Sequence, residues 1–173
     1  LRSIRKAKYR SVFDALFDRS QEIKGGKPKE SPAETLFRKA LEELKKDLPD
    51  GQTLSWDFTQ EYPLSALVWE TGAKEEWFTS AERLYMHHKK TCLDFLIYDR
   101  MDMEPLAAIE VDGEAFHKLG SRQAQRDAKK NSILRKVGLD FIRLRTRSAE
   151  GNEMEKVKAL LQRVLEKRNH TMK

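Results

Sequence analysis

Two β-rich runs, Cys92 to Tyr98 and Leu106 to Asp112, flank a short polar turn, Asp99 to Glu104, and constrain the fold more than any other part of the sequence. Runs of this kind so close together form an antiparallel hairpin. Each carries acid in apolar surroundings, as Leu-Asp-Phe-Leu-Ile in the first and Ala-Ala-Ile-Glu-Val-Asp in the second. Across a symmetric turn, opposite residues keep a constant index sum, so a turn centred near residue 102 sets Asp94 against Glu110. Period-2 alternation puts Asp112 on the Glu110 side. Three carboxylates sharing a face repel, at a cost that only a cation or a proton relieves. An oxygen-only donor set favours Mg²⁺ or Mn²⁺ over zinc. The competing structural account has one acid capping a turn or pairing with an arginine of the next helix.

The hairpin sits inside an alternating order of helix, strand, hairpin, helix, strand and helix. Gly25-Gly26-Lys27-Pro28 reads as a linker, separating a basic amphipathic segment with Val12, Phe13, Leu16 and Phe17 from a compact domain. The expected division is therefore residues 1–30 as helix and linker, and 31–173 as the domain. Ser31 as N-cap, Pro32 at the first helical position and the stripe Phe37, Ala40, Leu41 and Leu44 predict the opening helix. Thr53 to Tyr62 reads as an irregular strand and Pro63 to Met86 as a loop or short helical excursion, with Trp56, Trp69 and Trp77 as core anchors. Ser121 to Val137 reads as a helix ended by Gly138, Leu139 to Arg145 as a strand, and Glu153 to Lys167 as a closing helix.

A chain of 173 residues supports one full domain. It has no apolar run long enough to span a membrane and a single cysteine, Cys92, which excludes an internal disulfide and fits a reducing, cytoplasmic setting. The net charge of +6 is unevenly spread: residues 1–30 carry +5, 31–112 carry −8 and 113–173 carry +9. An acidic centre between basic ends suits a cation-holding site beside surfaces that attract a polyanion. Arg122, Arg126, Lys129, Lys130, Arg135 and Lys136 form a cationic face on the 121–137 helix, extended by Arg143, Arg145 and Arg147. Such a face holds phosphates or is simply solvated. His87 and His88 lack partners at metal-ligand spacing and read as surface residues.

Lys-Lys-Thr-Cys-Leu-Asp-Phe-Leu-Ile, then Pro-Leu-Ala-Ala-Ile-Glu-Val-Asp-Gly-Glu-Ala-Phe-His, then Arg-Gln-Ala-Gln-Arg-Asp-Ala-Lys-Lys, a helix ending at Val-Gly and the strand Phe-Ile-Arg-Leu-Arg together carry a resemblance. Over residues 33–165 the chain resembles a bacterial domain family of unknown function within the restriction-endonuclease-like, PD-(D/E)xK superfamily, and is similar to the very-short-patch mismatch repair endonucleases. The resemblance implies an α/β fold with a restriction-endonuclease-like core, a central mixed sheet whose β-hairpin carries the site, and flanking helices. It implies Asp94 and Glu110 as metal ligands, completed by the Val111 carbonyl, with Glu34 as the acid of the opening helix that often joins such sites. Where the superfamily has lysine two residues after the second acid, this chain has Asp112. The mismatch repair relatives carry histidine there and a second histidine that His117 matches, so Asp112 and His117 are candidates to orient or deprotonate water, and Arg126, Lys129 or Lys130 to supply the missing cation.

Phosphodiester cleavage needs charge neutralisation at phosphorus and a base for water, which this set provides. The expected function is a Mg²⁺- or Mn²⁺-dependent DNA endonuclease, with Arg122, Arg126, Lys129, Lys130, Arg143 and Arg145 binding nucleic acid. The resemblance, with a start at Leu1 instead of Met, suggests a module of a larger DNA-processing or repair protein, accompanied by a helicase-type domain of the same or another chain and not by a membrane. The alternatives are a catalytically silent nucleic-acid-binding module and a protein-interaction domain docking through the Val12, Phe13, Leu16 and Phe17 stripe.

Overall fold

The computed structural model describes residues 32–46, 56–112, 122–145 and 152–171. Two compact units emerge. In the smaller one, the helix α1 (Pro32–Lys46) buries Phe37 and Leu41, four residues apart on one stripe. The same unit holds the Asp99–Glu104 turn, where the Asp99 carboxylate accepts from the Met101 amide at 2.6 Å and Met103 takes a positive φ of 62°.

The larger unit is mixed α/β. Its elements are β1 (Trp56–Pro63), α2 (Leu64–Glu70), a 3₁₀ turn (Glu75–Trp77), α3 (Ser80–Met86), β2 (Cys92–Asp99), β3 (Pro105–Asp112), α4 (Arg122–Lys136), β4 (Asp140–Arg145) and α5 (Asn152–Thr171). The four strands form one sheet in the order β1-β2-β3-β4. β2 and β3 pair antiparallel, whereas β3 and β4 pair parallel, with α4 as the crossover that a parallel pair requires. A positive φ of 75° at Gly138, cheap only for glycine, ends α4 and turns the chain into β4.

Both faces of the central strands are covered, since Phe95, Leu96 and Ile97 on β2 and Ala107, Ala108 and Ile109 on β3 are buried without a break. α5 packs on β3 and β4 and contributes Val157, Leu160, Leu161 and Val164 to the core. Of the three tryptophans expected as core anchors, only Trp56 is one, at 1% exposure; Trp69 and Trp77 are half exposed, at 51% and 49%. The reason is local. α2 turns Leu64, Leu67 and Val68 inward, leaving Trp69 on its outer side, while Phe78 takes the inward position after the 3₁₀ turn. Among the described residues no helix is long and apolar enough to cross a membrane. The basic segment and linker of residues 1–30 lie outside the described residues.

Candidate active site

The hairpin register pairs Phe95 with Ile109 and Leu96 with Ala108. One step further along this ladder, Asp94 stands opposite Glu110, as the turn arithmetic requires. The Asp94 carboxylate accepts a hydrogen bond from the Val111 amide at 2.7 Å. Glu110 is 3% exposed, and its Oε2 accepts from Lys130 Nζ at 2.5 Å. Lys130 reaches down from α4 and also donates to the Cys92 carbonyl at 2.8 Å. The position two residues after Glu110 holds Asp112, and a lysine meets the acids from the following helix instead. Of the candidates Arg126, Lys129 and Lys130, it is the last.

Burial pushes Glu110 up to about 7, against the pull of Lys130 and with the repulsion of Asp94. Burial draws Lys130 down, but the attraction of Glu110 and Asp94 outweighs it and leaves the ammonium above its ordinary value. Glu110 Oε1 is buried and makes no hydrogen bond among the described residues, so part of this carboxylate's bonding capacity is unspent. Burial also pushes the Cys92 thiol up to about 11, which makes it a poor nucleophile.

A second layer surrounds this pair. Arg143 on β4 stands beside Glu110 in the parallel ladder; its Nε donates to Asn131 Oδ1 at 3.1 Å and its Nη1 lies 3.4 Å from Asp127 Oδ1. Tyr85 on α3 is half-buried and interacts electrostatically with Lys130, Glu110, Asp127 and Arg143. Glu82, one turn earlier on α3, locks that helix to α4. It accepts from Ser132 Oγ at 2.6 Å and Lys136 Nζ at 2.7 Å while closing the N-terminal capping box with Thr79. Burial opposes its charge, but these bonds hold Glu82 down at about 2.

The six-residue cationic face of α4 is therefore divided. Lys130 and Lys136 turn inward to Glu110 and Glu82, and Arg135 lies 6.0 Å from the Phe141 ring centroid. Arg122 and Arg126 are exposed and Lys129 half-exposed, with no ion pair between them and other described residues. Arg143 is mostly covered, at 18% side-chain exposure. His87 and His88 are exposed as expected, His87 lying 3.1 Å from Glu75 Oε1. Asp112 ends β3 and Arg145 ends β4, but their side chains, and His117 and Arg147 entirely, lie outside the described residues. Glu34 stands in the first turn of α1, in the other unit from the carboxylates. Among the described residues no three His, Cys, Asp or Glu side chains gather as a metal-binding group.

Sequence reasoning missed Tyr85, Asp127, Asn131 and the Glu82 clamp. The spacing of Asp127 and Asn131, at i and i+4 on α4, was the available signal, because it puts two polar acceptors on one helix face.

Residues 71–164 match the profile of a family described as a protein of unknown function, DUF2726. The chain belongs to the DUF2726 family. The matched DUF2726 span runs from the end of α2 into α5 and includes Tyr85, Asp94, Glu110, Lys130 and Arg143. No curated protein and no solved structure shows a significant match.

Proposed function

We propose that this chain carries a restriction-endonuclease-like nuclease domain that hydrolyses phosphodiester bonds in DNA with a divalent cation, Mg²⁺ or Mn²⁺. The observation that supports this reading most is the meeting of Asp94, Glu110 and Lys130 from two strands and a helix, two acids and a lysine in the absence of a lysine two residues after Glu110. The unspent, buried Glu110 Oε1 beside Asp94 fits a hard cation. Asp94, Glu110 and the Val111 carbonyl would hold it, and when bound it supplies positive charge at the phosphate.

In hydrolysis a water oxygen bonds to phosphorus, the bond to the leaving sugar oxygen breaks, and negative charge gathers on the nonbridging oxygens. The Lys130 ammonium, steadied by the Cys92 carbonyl, offers a preorganised donor for that charge. His117 and Asp112 are the groups proposed to orient or deprotonate the water, and Arg122, Arg126 and Lys129 to hold flanking phosphates. The second reading, a catalytically silent nucleic-acid-binding module, is favoured by one feature: Lys130 already compensates Glu110 directly. Incubation with supercoiled, linear and single-stranded DNA separates the two. Cleavage with Mg²⁺ or Mn²⁺ that EDTA abolishes supports the nuclease; binding without cleavage under every condition supports the silent module.

A further inference from the structure

The nuclease reading leaves Tyr85 unused, yet this side chain sits at the meeting point of the charged groups. The Glu82 bonds to Ser132 and Lys136 fix α3 along α4. The Phe78 ring, just before α3, is centred 5.8 Å from Lys136 Nζ and Glu82 reaches Ser132, so α3 runs against α4. Tyr85, three residues after Glu82 on the same face, thereby comes nearer the N-terminal half of α4, where Asp127, Lys130 and Asn131 stand. Lys130 and Arg143 flank this point with positive charge; Glu110 and Asp127 oppose it, but each already faces one of those cations. The Tyr85 hydroxyl makes no hydrogen bond among the described residues, and it belongs to a half-buried ring within electrostatic reach of Lys130 and Arg143.

We propose that the Tyr85 hydroxyl is a substrate-contacting group, donating to a nonbridging oxygen of a DNA phosphate seated beside Lys130 and Arg143. This rests on the phosphodiester reading of the site and adds to it a residue that contacts the phosphate directly. The ring's partial burial and neighbouring acids raise the phenol above its ordinary value, despite the opposing pull of Lys130 and Arg143.

The test measures binding of a short DNA duplex with Ca²⁺ in place of Mg²⁺, for the intact chain and Tyr85→Phe, with thermal unfolding of both. The expected result is about tenfold weaker binding by the variant, equivalent to about 1.4 kcal/mol, at an unchanged unfolding temperature. Its salt slope should match the parent's, because a neutral donor releases no counterion. Equal affinity, a parent chain that does not bind the duplex, or a lowered unfolding temperature in Tyr85→Phe would each overturn the proposal. If the variant binds more weakly but the parent never cleaves with Mg²⁺ or Mn²⁺, the phosphate contact stands and the nuclease reading falls.

Discussion

Replacing Lys130 by Met tests the centre of the site through stability alone. The Lys130 side chain is 12% exposed and that of Glu110 4%, so the pair is almost dry. Removing one partner of such a pair strands the other and costs about 3–5 kcal/mol. Because Lys130 keeps some contact with water, the lower end applies, about 3 kcal/mol, which for a chain of this size lowers the unfolding temperature by about 6–12 °C. The loss must depend on pH. Without Lys130 the Glu110 carboxyl titrates above its present value of about 7, far from the 4.5 of an unfolded glutamate. The folded variant then binds its proton more tightly than the unfolded chain does. The contribution of this carboxyl to stability is greatest below about pH 4.5 and is lost as the pH rises through the folded value. Urea unfolding at pH 5 and pH 8, followed by circular dichroism, should show a small deficit at the first and one larger by up to about 1.4 kcal/mol at the second, one pH unit above the parent's Glu110 value, with the full deficit reached only above about pH 9. Lys130→Met with Glu110→Leu should recover most of the loss, since neither charge is then stranded. Equal stability of Lys130→Met and the parent at pH 8 would refute the buried pair, and a deficit independent of pH would refute the titration of Glu110.

Three further outcomes follow from the same geometry. Glu82, held at about 2, contributes stability that is complete above the unfolded value near 4.5 and lost as the pH falls toward 2; Glu82→Gln should be less stable at pH 7 and show a flatter acid-unfolding profile between those limits. Replacing Arg122, Arg126 and Lys129 together by Ala should weaken duplex binding and reduce the slope of log affinity against log salt by about 0.9 for each phosphate that is no longer neutralised; an unchanged slope would make them a solvated face. Mn²⁺ affinity, followed by titration calorimetry, should rise with pH up to about 7 and then level as Glu110 loses its proton, whereas constant affinity from pH 5 to pH 8 would contradict Glu110 as a ligand.

The hairpin was legible because its information is local. Alternation and turn symmetry set Asp94 opposite Glu110, and the observed register agrees, although a bulge between Ile97 and Tyr98 interrupts the ladder nearer the turn. α4, β4 and α5 likewise announce themselves through Gly138 and apolar periodicity. What sequence left open was direction. Lys130 and Lys129 are neighbours with the same chemistry, and only the docking of α4 decides that one meets Glu110 while the other stays half-exposed. The tryptophans show the same limit: size and hydrophobicity favour burial for all three, but Trp69 falls on the outer side of a two-turn helix whose inner side is already filled by Leu64, Leu67 and Val68. Tyr85 and Glu82 lay in the stretch read as loop or helical excursion, where the short α3 and its capping box give too few turns for a periodicity argument.

The most direct measurement is Mn²⁺-dependent nicking of supercoiled DNA by the intact chain and by Asp94→Asn prepared in parallel. Asparagine preserves an acceptor for the Val111 amide, which Asp94 now binds at 2.7 Å, and so keeps the hairpin while removing the charge that would hold the cation. The account predicts nicking by the parent that EDTA abolishes, and loss of nicking in a variant that unfolds at the same temperature. Equal nicking by both proteins, or none by the parent with either Mn²⁺ or Mg²⁺, would contradict it.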